Sequence, residues 1–141
     1  MSADDGGRPP VRDVAALVAR IPYCAHLGIG AAAAEGALRL TMPFAEKLVG
    51  NVMLPALHGG VIGSLLETAA IAQILWETAP ERMPRPVDIA IDYLRSARAL
   101  DSFARARLIK QGRRVVNVHA EMWQDDPARP VAALRGHFLV G

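Results

Sequence analysis

One carboxylate stands alone in a long apolar stretch of this sequence. Glu67 is the only formally charged residue between positions 48 and 76, and its neighbours at helical spacing carry no charge that could pair with it. A buried carboxylate without a counterion is costly, so proteins keep one where it faces a cavity and does chemistry. Desolvation would raise its pKa towards the range of a general base. A glutamate on the one wet face of a helix, or one paired with a charge on another element, remains the alternative.

A histidine and two glycines stand immediately before the same stretch. His58-Gly59-Gly60 follows a loop and opens the predicted helix. Two glycines let the backbone bend sharply and let a ligand atom come close, while the first N–H groups of a helix lack intrahelical partners. With the positive end of the helix dipole, these amides could polarise a carbonyl group. Glycine before a helix is more often loop geometry, so the motif alone does not establish a site.

A central helix and an antiparallel sheet are the elements that must position these residues. Residues 60–78 are apolar on nearly all sides, which predicts a helix inside the domain. Alternating or continuous apolar runs bounded by turn residues predict strands at 27–34, 37–42, 87–93, 103–110, 115–123 and 131–140. A short amphipathic helix is predicted at 11–21, and 43–57 is predicted to be a loop with at most one helical turn. The fold class is therefore α+β, with an antiparallel sheet covering one long helix.

Length and composition fit a single domain. The chain has 141 residues, of which 52% are hydrophobic and 21% charged, values that exclude a multidomain enzyme and a disordered protein. We predict a disordered tail at 1–10 and one domain at 11–141. A sheet this small exposes its edges, so we expect a closed homodimer, or a dimer of dimers.

Composition also excludes several classes of partner. A formal charge of +2 with scattered arginines argues against nucleic acid, and the longest apolar stretch is too short and too polar for a membrane span. Cys24 is the only cysteine, so no disulfide is expected and we predict a cytoplasmic location. It is interpreted as a small buried hydrophobe. The remaining histidines, His26, His119 and His137, lack metal-ligand spacing, so no metal site is predicted.

Four arginines lie at predicted strand ends and turns. Guanidinium groups of Arg95, Arg98, Arg113 and Arg114 could hold the phosphates of a coenzyme through forked hydrogen bonds. For each of them, a solvated surface position is the alternative.

The motifs together resemble a known family. Residues 57–69 read Leu-His-Gly-Gly-Val-Ile-Gly-Ser-Leu-Leu-Glu-Thr-Ala and residues 91–95 read Ile-Asp-Tyr-Leu-Arg. From about residue 26 to the C-terminus the chain is similar to hotdog-fold acyl-CoA thioesterases of the phenylacetate-pathway (PaaI-like) type. In that family a His-Gly-Gly signature starts the central helix, and an Asp or Glu eight residues after the first glycine carries out hydrolysis. Gly59 and Glu67 have that spacing.

The resemblance implies a role for each matching residue. Gly59 N–H would polarise a thioester carbonyl, Glu67 would act as nucleophile or as base for a water, and His58 would orient the loop or the substrate. Asn51 lies near the position from which the family places a water. From the residue chemistry above, Gly60, Arg95, Arg113 and Arg114 are the further predicted substrate contacts. The substrate would be an acyl- or aroyl-CoA in a cleft between two subunits, with no cofactor beyond the CoA of the substrate itself. Where many members have a Ser or Thr before the strand that follows the helix, this chain has Pro86-Val87.

Two other functions share the fold. Acyl-thioester dehydratases or hydratases also carry a glutamate on the central helix, but they pair it with a histidine about fourteen residues earlier, where this chain has Met53. A non-catalytic module that binds acyl-CoA would commonly carry a DNA-binding element, and 11–21 is too short for a helix-turn-helix. The residues therefore favour the hydrolase.

Overall fold

A six-stranded antiparallel sheet packed on one long helix forms the domain. The computed structural model describes residues 13–51 and 56–141. In chain order the helices are α1 (Val14–Ala19), α2 (Pro22–Leu27) and α3 (Gly59–Thr78), and the strands are β1 (Gly30–Ala34), β2 (Ala37–Met42), β3 (Val49–Asn51), β4 (Ala56–Leu57), β5 (Arg85–Tyr93), β6 (Ser102–Gln111), β7 (Val115–Trp123) and β8 (Ala132–Leu139). The large sheet has the order β1-β2-β6-β7-β8-β5, and β3 pairs with β4. The predicted α+β class, with an antiparallel sheet around one helix, is confirmed.

The core lies between α3 and the inner face of the sheet. Alternate residues of β7 are buried, including Val116, Val118 and Met122, because successive side chains of a strand point to opposite faces. From α3, Leu65 and Leu66 are fully buried against this face. The period-two pattern of the sequence thus builds one wall of the core and the apolar helix fills it.

Helix α3 lies inside the domain as predicted, and one of its faces is left partly uncovered. Gly60 is exposed, and Gly63, Ser64, Glu67 and Ile71 are half-buried. Each of these five residues lies three or four positions from another of the set, so together they line one side of the helix. We call this side the open face of α3. Glu67 therefore lies at the border between core and solvent.

The N-terminal region differs from its prediction. Residues 1–12 lie outside the described residues, so neither the disordered tail nor the start of the predicted helix is tested there. Within the described part, α1 is followed by a second helix that begins at Pro22 and ends at Leu27, because the next residue, Gly28, takes a left-handed φ of 71°. Proline fits the first turn of a helix, so Pro22 begins α2 instead of only ending α1. The first strand consequently starts at Gly30, not at residue 27.

The predicted loop between residues 43 and 57 is partly ordered. A single 3₁₀ turn at Glu46–Leu48 agrees with the expected helical turn. Strands β3 and β4, paired through Val49 with Leu57 and Asn51 with Ala56, were not predicted, because strands of two or three residues leave no period to detect. Residues 52–55 lie outside the described residues.

Strand β5 forms an edge of the sheet and is poorly covered. It pairs with β8 on one side only, and Ile91 is its one half-buried residue. Val87 and Tyr93 are 60% and 55% exposed. An exposed apolar edge of this kind is what a second chain covers, which supports the expectation of a dimer.

Candidate active site

The first turn of α3 is built from His58, Gly59 and Gly60. His58 is the N-cap residue, with extended backbone angles of −63° and 135°, and its Nδ1 accepts a hydrogen bond of 2.9 Å from Gly60 N–H. Its own N–H donates to Leu48 O at 2.8 Å, which ties the turn to the 3₁₀ turn before β3. Since Nδ1 accepts, the proton of the neutral imidazole lies on Nε2. His58 therefore orients the loop.

Gly59 N–H is the donor that this turn leaves for a ligand. Gly60 N–H is engaged by His58, whereas Gly59 N–H meets no acceptor among the described residues. It stands at the positive end of the dipole of a 20-residue helix. Such an amide can stabilise negative charge on a carbonyl oxygen. Substrate contact through Gly60 stays a prediction, and its N–H is not free to make it.

Glu67 is half-buried on the open face of α3. No salt bridge or hydrogen bond joins its carboxylate to another residue in the described ranges. Desolvation by burial raises the pKa of Glu67 above its ordinary value of 4.5, because the charged form loses hydration that no counterion replaces. The arrangement suits a group that exchanges a proton with a ligand.

Gly59 and Glu67 do not meet within one protomer. They are eight residues apart on one α-helix, and a rise of 1.5 Å per residue separates them by about 12 Å along the axis. A glutamate side chain is too short to span that distance. Within one protomer, the Gly59 amide and the Glu67 carboxylate thus lie at two separate points along α3.

Tyr93 contacts the first turn of α3, and sequence reasoning did not predict this contact. It is the last residue of β5, and its hydroxyl donates a 3.1 Å hydrogen bond to Gly59 O. Tyr93 belonged to the matching segment 91–95, but only the folded chain reveals a contact between residues 34 positions apart. On the same strand, Ile91 lies against the open face, where its Cδ1 would be 3.3 Å from a Cβ placed on Gly63.

The structure separates the predicted phosphate-binding arginines. Arg95 follows β5, where its Nε donates to Pro130 O at 3.1 Å, and it lines a cavity of about 350 Å³ with Arg98 and Arg129. Arg98 forms an ion pair with Asp125. The β6–β7 turn carries the other two predicted arginines, 113 and 114, at the opposite end of the sheet.

The remaining candidates are Asn51, next to the strand that leads into α3, and two residues on other elements, Cys24 and His137. Asn51 ends β3 and pairs through its backbone with Ala56; its side chain is outside what the structure describes, so the water-positioning role stays a prediction. Cys24 is buried as predicted, and burial raises the pKa of its thiol to about 11. His137 bonds Asp88 at 2.9 Å on the outer face of the sheet.

A family model and a curated relative both identify this chain as similar to thioesterases. The model of the thioesterase superfamily matches residues 54–131, a range that includes α3 and both Gly59 and Glu67. The medium/long-chain acyl-CoA thioesterase YigI of Salmonella typhimurium is 28% identical over 139 residues, covering 89% of each chain.

Solved structures share the fold. A protein from Chromobacterium violaceum is 39% identical, with a TM-score of 0.73 over 92% of this chain and 90% of its own. The PaaI protein of the phenylacetic acid degradation operon of E. coli superposes with a TM-score of 0.77 over 92% of this chain and 91% of its own, at 23% identity. At that identity the likeness to PaaI concerns the fold.

Proposed function

The chain belongs to the thioesterase superfamily, and from that membership we infer that it hydrolyses an acyl- or aroyl-CoA to the free acid and CoA. Family membership and similarity to YigI confirm the sequence-based prediction of an acyl-CoA thioesterase. We propose Glu67 as the base or nucleophile and Gly59 N–H as the donor that polarises the carbonyl. This assignment rests on one observation: the Glu67 carboxylate is half-buried and unpaired among the described residues, on the same helix whose first N–H, that of Gly59, has no acceptor there.

Two subunits are needed to bring these groups together. Because the amide and the carboxylate lie about 12 Å apart on one helix, one thioester cannot contact both in a single protomer. A twofold dimer with antiparallel α3 helices would place Gly59 of one protomer beside Glu67 of the partner subunit, and would do so twice. The exposed edge of β5 and the small residues of the open face support such close approach.

Either role of Glu67 gives the same products. As a base, the carboxylate takes a proton from water, whose oxygen attacks the carbonyl carbon while Gly59 N–H holds the developing oxyanion. The C–S bond then breaks, and the proton on Glu67 passes to the departing CoA thiolate. As a nucleophile, the carboxylate forms a mixed anhydride with loss of the thiolate, and water hydrolyses the anhydride.

The same dimer would bring the predicted phosphate-binding arginines that are separated in one protomer close together. Antiparallel pairing of two β5 strands brings the end of one sheet at which β5 begins, which carries the β6–β7 turn, beside the end of the other sheet at which β5 finishes. The partner subunit's Arg113 and the partner subunit's Arg114 would then lie at the end of the joined sheet that carries Arg95. We propose that the phosphates of CoA are held there.

The pH dependence of hydrolysis tests the assignment to Glu67. When release of free thiol from an acyl-CoA is followed, kcat/KM should rise with pH through a pKa above 4.5, because only the ionised carboxylate accepts a proton or attacks carbon. The exposed Glu81 on the segment after α3 offers a control, and Glu81→Gln should keep the same profile. Absence of thiol release from every acyl-CoA tried would contradict the proposed thioesterase function. A rise of kcat/KM centred at or below pH 4.5 would contradict the assignment of Glu67 as the ionising group.

A further inference from the structure

A chain of hydrogen bonds runs through the peptide that joins Gly59 to Gly60. Tyr93 Oη donates to Gly59 O at 3.1 Å, and Gly60 N–H donates to His58 Nδ1 at 2.9 Å. The carbonyl and the N–H belong to the same peptide group. Hydrogen bonds in series polarise one another, so the Tyr93 hydroxyl strengthens the bond that caps the helix and fixes the tautomer of His58.

The peptide needs such restraint because both of its residues are glycines. Glycine reaches the widest range of backbone angles, and both residues are exposed. On the N-terminal side, backbone bonds from His58 to Leu48 and from Leu57 to Ala97 hold the chain. Among the described residues, His58 and Tyr93 are the two whose side chains bond to the peptide itself.

Building on the function proposed above, we propose that Tyr93 is a positioning residue of the thioester site. The bond that Gly60 N–H donates to His58 Nδ1 and the bond that Tyr93 Oη donates to Gly59 O hold the peptide that follows Gly59. The preceding peptide, which carries Gly59 N–H, is held through His58 O, which accepts from the N–H groups of Val61 and Ile62. With both peptides held, the backbone angles of Gly59 and the direction of its N–H are fixed. An oxyanion donor works because its direction is set before the reaction begins. Tyr93 does not contact the reacting atoms in this account; it acts through the amide.

The position of Tyr93 also connects the site to the sheet edge. Tyr93 ends β5, with its hydroxyl 3.8 Å from Cβ positions built on both Gly59 and Gly63. A Cβ at either position would be in ordinary van der Waals contact with this hydroxyl, so Tyr93 packs directly against the start of α3. The same strand edge is the one that we propose pairs with a partner subunit, so the amide is aligned relative to that interface.

Removing the hydroxyl alone tests this inference. Tyr93→Phe should lower kcat about three- to tenfold, the scale of one neutral hydrogen bond, with KM changed less than twofold. The Gly60 amide proton should move upfield in the NMR spectrum as its bond to His58 weakens. Tyr23 is the matched control, since it is the only other tyrosine and is 53% exposed. Tyr23→Phe should retain wild-type kcat.

Combining Tyr93→Phe with Gly59→Pro distinguishes positioning of the Gly59 amide from a general structural role of Tyr93. In Gly59→Pro the amide hydrogen is gone, so adding Tyr93→Phe should lower kcat no further, whereas independent effects would multiply. An unchanged kcat in Tyr93→Phe, or an equal loss in both backgrounds, would overturn the proposal for Tyr93. If the wild type and Tyr23→Phe still release thiol, the thioesterase function holds even when the proposal for Tyr93 fails.

Discussion

Glu67→Gln is expected to lower kcat for acyl-CoA hydrolysis on the order of 100-fold or more, the usual scale for loss of a general base. The amide keeps the shape of the side chain and cannot accept the proton or attack carbon. Binding of the acyl-CoA should persist, because the substitution leaves the first turn of α3 and the arginines intact. Steady-state thiol release, with binding measured separately by calorimetry, distinguishes the two effects.

The pKa of Glu67 also predicts whether Glu67→Gln is more or less stable than the wild type. Because the pKa of Glu67 is raised in the folded state, ionisation of this group disfavours folding once the pH rises through that pKa. At neutral pH Glu67→Gln should therefore melt at the wild-type temperature or above it, and the difference should shrink as the pH falls. A variant that turns over at nearly the wild-type rate but melts several degrees lower would identify Glu67 as a structural residue.

Gly59→Pro should lower kcat on the order of 100- to 1,000-fold, the range seen when one oxyanion donor is removed. Proline lacks the N–H and suits the first position of a helix. The extended backbone of His58, with ψ of 135°, suits a residue before proline. The substitution thus removes the proposed donor while preserving the helix, which circular dichroism and thermal melting can verify.

Gly59→Ala supplies the matched control for the proline variant. It keeps the N–H, and among the described residues a Cβ at this position meets only Tyr93, at 3.8 Å from its hydroxyl and 4.0 Å from its ring. Alanine should therefore retain most of the activity. Equal losses in the alanine and proline variants would show that side-chain volume matters at this position and that the amide does not.

The long elements could be predicted because their periods are long enough to read. The alternation in β7 and the apolar character of α3 gave their positions within a residue, since burial on one face repeats over nine or more residues. Helix α2 and strands β3 and β4 were missed because they span two to six residues. Pro22 carries two signals, the end of one helix and the start of the next, and sequence alone favoured the first.

Residues of the candidate site could be proposed from the sequence only where they share one element. Glu67 and Gly59 stand out because charge and spacing are readable along α3. The contact of Tyr93 with Gly59 depends on how the end of β5 meets the start of α3, which no local pattern encodes. The same limit applies to the arginines, because a strand-end position does not reveal which end of the sheet it occupies.

Subunit complementation tests most directly the claim that Gly59 of one protomer works with Glu67 of its partner. Gly59→Pro and Glu67→Gln chains, coexpressed with different tags, can be purified as a mixed dimer and sized by light scattering. A shared site predicts that one of the two sites is intact, so this dimer should show about half the wild-type activity although each parent is nearly inactive. Activity no greater than that of the parents, or a monomeric protein, would contradict the shared site.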